Sequence, residues 1–340
     1  MSRDDAAPFL LDPNPIERFY RGGPAIAGFR GIDVGHERTP EDWVGSCTCV
    51  FGQRDLGLSP LPDGRRLRDA IHADPVGYLG EEHVASFGPD PALLVKLLDA
   101  DERLPVHWHP DRAFAREHLR MRFGKTEAWA IVEAREGAVV HLGFDRDVER
   151  AEVECWLREQ DVDAMLGAMH RRPVRAGDAI LVPAGTPHAI GEGILLVELQ
   201  EPTDLSVLLE WRGFDLDGER DGHLGLGFDV ALGSLRLGGV PGDELDRWMS
   251  SRDGGRLFPA EADAFFRADR VEGPGVLDAA FSIVVVLDGQ GRMRWSGGEL
   301  AVRRGATVLV PFAAGEVALD GEVRAIRCRP AERAPEPLPA

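Results

Sequence analysis

A mainly β protein of two β-barrel lobes with a small helical insertion is the fold class this chain predicts, on three observations. Short apolar runs recur with Gly, Pro and Asp between them: LLVKLLDA, TEAWAIVEA, AVVHLGF, DAILVPA, GILLVELQ, LSVLLEW, FSIVVVLDG and ATVLVPF. Many short strands with frequent turn signals are the pattern of sandwiches and barrels. One segment is repeated: Gly177 opens GDAILVPAGTPH and Gly305 opens GATVLVPFAAGE, with Pro183 and Pro311 at the same offset, which argues for a duplicated lobe. Two stretches keep a helical period instead. Phe114, His118 and Met121 share a face in 111–121, and Val153, Trp156, Leu157, Val162, Met165, Leu166 and Met169 suit two short helices inserted at about 146–172.

These elements divide the chain into a first lobe over 1–239, a second over 240–330 and a loose Pro- and Ala-rich tail over 331–340. The stretch 240–272 reads as a partly helical join. With 340 residues and 44% hydrophobic content the chain can bury a real core. A formal charge of −19 repels nucleic acid and anionic membrane surfaces, so neither is an expected partner. No run approaches the roughly 18 apolar residues that span a bilayer, and MSRDDAAPFLLDPNP lacks a basic start and apolar run. The expected location is therefore cytoplasmic. Cys47, Cys49, Cys155 and Cys328 are too few and scattered for a disulfide framework and are expected as reduced core residues.

Chemistry concentrates in the first lobe. Alternate strand residues face the same way, so His107 and His109 in PVHWHP project together while Trp108 faces outward. His188 follows a tight Pro-Ala-Gly turn, and Glu316 stands at the corresponding place in the second repeat. A metal is therefore expected in the first lobe alone. Arginine replaces lysine almost everywhere; the only two lysines, Lys96 and Lys125, both fall near this motif.

The spacing of Gly177, Pro183, Gly185 and His188 resembles the second signature of the cupin superfamily. That resemblance implies jelly-roll lobes and a metal held by His107, His109, Glu127 (in GKTEAW) and His188. Three imidazoles and a carboxylate suit one divalent ion, zinc first, with manganese, iron or nickel as alternatives.

LLVKLLDADERLPVHWHPDRAFAREH, FGKTEAWAIVEA and VPAGTPHAIGEGILLVELQ, in that order across about 90–212, resemble the class I (zinc-dependent) phosphomannose isomerase family more closely still, as does the early PEDWVGS. The resemblance implies a sugar or sugar-phosphate substrate, Lys96 and Lys125 lining its pocket, and Glu198 and Asp204 at acidic positions of the following strand. It also has departures. His107 stands where the family usually has glutamine, Pro105 where serine is frequent, Leu208 where a catalytic arginine is expected and Phe214 where a basic residue is expected; Arg212 lies between the last two as a possible substitute.

Aldose–ketose isomerisation moves a proton between neighbouring carbons through an enediol. Glu198 is the first candidate base, Asp204 the second, and Lys125 an electrophilic or anion-holding cation; Lys96 and Arg212 are further substrate contacts. An iron-dependent cupin oxygenase and a sugar-binding cupin without catalysis are the competing readings. Loss of the cations expected at Leu208 and Phe214 points to weak use of a phosphorylated sugar unless Arg212 compensates.

Overall fold

The computed structural model describes residues 7–33, 37–249 and 255–335, and its strands form three antiparallel sheets. A six-stranded sheet runs in the order β2 (Pro15–Ile16), β3 (Glu41–Val44), β4 (Leu94–Ala100), β11 (Ile194–Gln200), β6 (Glu127–Ala134), β9 (Ala179–Val182). A five-stranded sheet runs β12 (Val207–Leu208), β5 (His107–Trp108), β10 (His188–Ile190), β7 (Val139–Phe144), β8 (Met169–Pro173). These two sheets make the first lobe, and contact between His188 of one and Glu127 of the other places them face to face. The third sheet orders β1 (Phe9–Leu10), β17 (Thr307–Val310), β15 (Ser282–Trp295), β18 (Val317–Pro330) and β13 (Phe266–Glu272), with β14 (Gly275–Leu277) on β18 and β16 (Gly298–Arg303) on β15.

The expected strands are present, and so are the helices. Asp111 accepts a hydrogen bond from Phe114 N–H and caps α5 (Arg112–Leu119); the insertion is α6 (Arg150–Glu159) and α7 (Val162–Gly167). Val153, Trp156, Leu157 and Met165 of the insertion pack with Trp108 and Phe144 of the five-stranded sheet. Trp108 thus points away from its histidine neighbours as expected, yet it is buried and donates to Ser234 Oγ at 2.9 Å. The helices α1 (Pro24–Arg30), α2 (Leu67–Ala73), α3 (Pro75–Leu79) and α4 (Glu81–Phe87) were not foreseen. Each has five to seven residues, too short for a periodic pattern to stand out.

The chain crosses the boundary expected at 239/240. Phe9 and Leu10 pair with Leu309 and Val308 of the second lobe, and buried Arg30 reaches Thr307 Oγ1 at 2.8 Å. In the other direction, Leu245 and Trp248 of the helix Gly242–Trp248 join the first lobe's core. Alternation along β15 explains how the lobes meet: Ile283 and Val285 enter the core shared with the first lobe, and Val284 and Val286 enter the second lobe's own core. Cys328 is buried as expected, but Cys47, Cys49 and Cys155 are only partly buried, and all four are free thiols. Residues 336–340 of the expected loose tail lie outside the described residues. No helix among the described residues is long and apolar enough to cross a membrane.

Candidate active site and metal centre

Strand register builds one wall of the site. Trp43 lies opposite Lys96, Lys96 opposite Glu198, and Glu198 opposite Trp129 across four neighbouring strands of the six-stranded sheet. Residues in register share a face, and Glu41 and Glu127, each two along from a tryptophan, point the same way. Lys96 is buried, its Nζ 3.2 Å from Glu198 Oε1, 3.4 Å from Glu41 Oε2 and 5.1 Å from the Trp43 ring centroid. Burial would lower its pKa, but Glu198 and then Glu41 carry it above the ordinary lysine value. Glu41 also accepts from Arg18 at 2.9 and 3.1 Å, from Trp43 Nε1 at 2.6 Å and from the Tyr20 hydroxyl. Burial opposes its charge; Arg18 first and Lys96 next overcome that and hold it well below the usual carboxylate range.

The opposite wall carries the histidines. His107 and His188 pair directly across β5 and β10, and His109 lies just beyond the end of β5. The chain enters β10 through a turn in which Gly185 takes a φ of 84° and donates its N–H to the His109 carbonyl at 2.7 Å. Such a left-handed conformation favours glycine. The three ring centroids lie 4.2 to 5.0 Å apart. Each Nδ1 meets a backbone carbonyl: Pro105 for His107 at 2.8 Å, Leu205 for His109 at 2.7 Å and Thr186 for His188 at 2.9 Å. A carbonyl only accepts, so every Nδ1 carries the proton and every Nε2 keeps a lone pair.

Two of those lone pairs meet Glu127. Its Oε2 lies 3.0 Å from His109 Nε2 and its Oε1 3.4 Å from His188 Nε2, while Trp129 Nε1 donates to Oε1 at 3.0 Å. His188 Nε2 and Glu127 Oε2 are buried and make no well-directed hydrogen bond. Burial lowers the pKa of all three histidines, with neighbouring histidines adding to this at His107 and Lys125 adding to it at His109, which falls to about 3. At Glu127 burial alone would raise the pKa, but Lys125 and His109 hold it well below the ordinary value. Neutral imidazoles beside an ionised carboxylate are the protonation states a divalent metal requires. Lys125 Nζ sits at this set already, 3.1 Å from both His109 Nε2 and Glu127 Oε2, so the field of the ligand atoms favours a cation. Among the described residues, His107, His109 and His188 are the one group of His, Cys, Asp or Glu side chains placed to share an ion.

Both walls open on a cavity of about 320 Å³, which Lys96, Lys125, Glu127, Glu198 and Asp204 line. Burial, then Glu127, raises Glu198 to about 7 against the pull of Lys96 and Lys125, and its Oε1 accepts no well-directed hydrogen bond. Asp204 is held otherwise. Arg18 grips it at 2.9 and 3.3 Å and Phe51 N–H donates to it at 3.2 Å. Arg212 is not at the cavity, in correction of the expected substitution. Its guanidinium donates to the Glu159 carbonyl and its N–H to Gln160 Oε1 at 3.0 Å, on the helical insertion. Leu208 does line the cavity, whereas Phe214 packs edge-on against Phe19 with centroids 5.9 Å apart. Arg18, Tyr20 and Glu41 are site residues that the sequence reading did not assign; PEDWVGS, which contains Glu41 and Trp43, was the one signal pointing toward them.

The family described as "Mannose-6-phosphate isomerase, cupin domain" matches residues 269–330, within the lobe that lacks the histidine cluster. The mannose-6-phosphate isomerase of Streptococcus mutans is 29% identical over 331 residues, covering 94% of this chain and 98% of the relative. One from Bacillus subtilis is 28% identical, also covering 94% and 98%. The crystal structure of a Bacillus subtilis mannose 6-phosphate isomerase superposes with a TM-score of 0.74 at 24% identity, covering 95% of this chain and 99% of that one. A mannose 6-phosphate isomerase bound with zinc and yttrium gives a TM-score of 0.69 at 15% identity, covering 95% and 99%.

Proposed function

We propose that this chain, a member of the class I phosphomannose isomerase family of cupins, is an aldose–ketose isomerase acting on mannose 6-phosphate or a closely related hexose. The observation that carries the reading is the cluster of three Nδ1-protonated imidazoles against an ionised Glu127, beside a cavity lined by His107, Lys125, Glu127 and a buried Glu198 whose Oε1 accepts no well-directed hydrogen bond. His107, His109 and His188 would hold one divalent ion, with Glu127, 3.0 Å from His109 and 3.4 Å from His188, as the fourth ligand, zinc by analogy with the zinc-bound relative. When bound, such an ion polarises the sugar carbonyl.

The chain's own residues supply the rest. Glu198, as carboxylate, takes the proton from C2 of the aldose; the C2–H electron pair forms the C1–C2 double bond of the enediol. The same carboxyl then returns the proton to C1 as the C2 hydroxyl becomes the ketone, with one proton passing between the two oxygens. A pKa near neutrality suits a group that must both take and give a proton. Lys125 faces the cavity as a donor to the oxygen that gains charge, and Lys96 holds Glu198 in place at 3.2 Å. Asp204, gripped by Arg18, serves to position that arginine, and the base in this reading is Glu198.

Metal-loaded protein incubated with mannose 6-phosphate or mannose in D2O should yield the ketose with deuterium at C1. Glu198→Gln should lower turnover by about 10²–10⁴-fold with metal content unchanged. Full activity in that variant would remove Glu198 from the mechanism, and no turnover of any aldose by metal-loaded protein would remove the isomerase reading.

A further inference from the structure

We propose, on the isomerase reading above, that the cavity selects a sugar whose end remote from the metal set is uncharged, so that an unphosphorylated hexose is preferred to its 6-phosphate. The ligand side chains are buried, and the lining becomes exposed toward the mouth, at Phe51 and Asp221. A hexose with C1 and C2 at the buried end directs C6 toward that mouth. The half-buried and exposed lining on that side is four apolar side chains, Phe19, Val50, Phe51 and Leu216, with Ser206, the carboxylates Asp204 and Asp221 and one cation, Arg18.

A phosphate dianion needs several cations or N–H donors to offset its desolvation. Among the described residues lining the cavity the cations are Arg18, Lys96 and Lys125. Each is already engaged: Arg18 with Glu41 and Asp204, both at 2.9 Å; Lys96 with Glu198 at 3.2 Å; Lys125 with Glu127 at 3.1 Å. Lys96 and Lys125 also lie at the buried end, beside the reacting carbons. Of the segment 212–221, Leu216 and Asp221 line the cavity; the segment carries Asp215, Asp217, Glu219 and Asp221 against Arg212 and Arg220, and Asp215 pairs with Arg38 at 2.6 Å. Arg212 is turned to the Glu159 carbonyl, and Arg220 pairs with Asp221 at 2.6 Å. The lining toward the mouth thus offers a dianion no cation that is not already paired with a carboxylate, and its apolar surface favours a hydroxymethyl or methyl end group.

The test compares kcat/KM for mannose and mannose 6-phosphate on the metal-loaded full chain, with Leu208→Arg and Asp221→Asn as variants. The free sugar should be preferred at least about tenfold. Leu208→Arg should shift the ratio toward the phosphate by about tenfold or more, the scale of one charge-assisted contact, and Asp221→Asn should shift it the same way by less. Asp221 is exposed, so its variant keeps the test open if Leu208→Arg fails to fold. Preference for mannose 6-phosphate in the parent overturns the selectivity and leaves the isomerase standing. Unchanged ratios in folded variants also overturn it. Absence of turnover with either sugar, metal bound, overturns the isomerase reading and this inference with it.

Discussion

The two lobes enter the same turn and leave it with different chemistry. Gly177 and Gly305 both take left-handed φ values, 92° and 82°, each before a buried four-residue strand that ends at a proline. Five residues after the proline the first lobe has buried His188 and the second has exposed Glu316. The interiors diverge accordingly. The first lobe buries Lys96, Glu41, Glu127 and Glu198 between Trp43 and Trp129, whereas the second is filled by Val284, Val286, Met293, Val308 and Val310. One scaffold thus serves as a reaction vessel and as a packed block. The polar interior persists because each buried charge has an opposite charge or a directed donor beside it.

The sharpest way to break this comparison is to remove the ligands. His109→Ala with His188→Ala should take bound divalent metal from about one equivalent per chain to almost none by elemental analysis, since neither remaining side chain can chelate alone. Full metal in that variant would place the site elsewhere.

Next in size are the two interiors. Lys96→Met leaves Glu41 and Glu198 buried beside each other without their shared cation, and should cost about 3–5 kcal/mol in chemical denaturation. Met293→Ala in the second lobe should cost about 2–5 kcal/mol by loss of packing and leave metal content untouched. A loss of metal in folded Met293→Ala would show that the second lobe contributes to the site.

Smaller effects sharpen the picture. Trp129→Phe removes the 3.0 Å donor to Glu127 and should weaken metal affinity about 10–100-fold by competitive chelation, the usual scale for a partner of a ligand. Glu41 has its pKa depressed in the folded state, so its stabilisation is fully present above the unfolded carboxylate value and is lost as pH falls through that value toward the folded one. Glu41→Gln should therefore flatten the acid limb of stability against pH; an unchanged limb would mean that other carboxylates set it. Glu316→Ala, on the surface, should change stability by no more than about 0.5 kcal/mol.

Much of this was legible in the sequence because it is local. The alternation in PVHWHP, the turn before His188 and the helical periods at 111–121 and 146–172 all fall within one or two elements. What was missed depends on distant partners. Arg18 and Tyr20 reach the site because β2 pairs with β3, and nothing near ERFYRG signals that pairing. The two-residue β1 crosses to the second lobe for the same kind of reason. Arg212 failed as a substitute because β12 ends at Leu208. Beyond it Leu209 and Glu210 donate to the Val106 carbonyl, and Gln160 captures the Trp211 and Arg212 N–H groups, so alternation along a strand no longer applies.

The claim at the centre is one metal, held by Nε2 atoms of the first lobe beside Glu127, and none in the second. Anomalous diffraction at the zinc edge on crystals of the loaded protein tests it most directly. A single peak should lie within about 2.0–2.2 Å of Nε2 of His107, His109 and His188 and of a Glu127 oxygen. A peak in the 275–328 region, coordination through Nδ1, or no peak among the three histidines would contradict it.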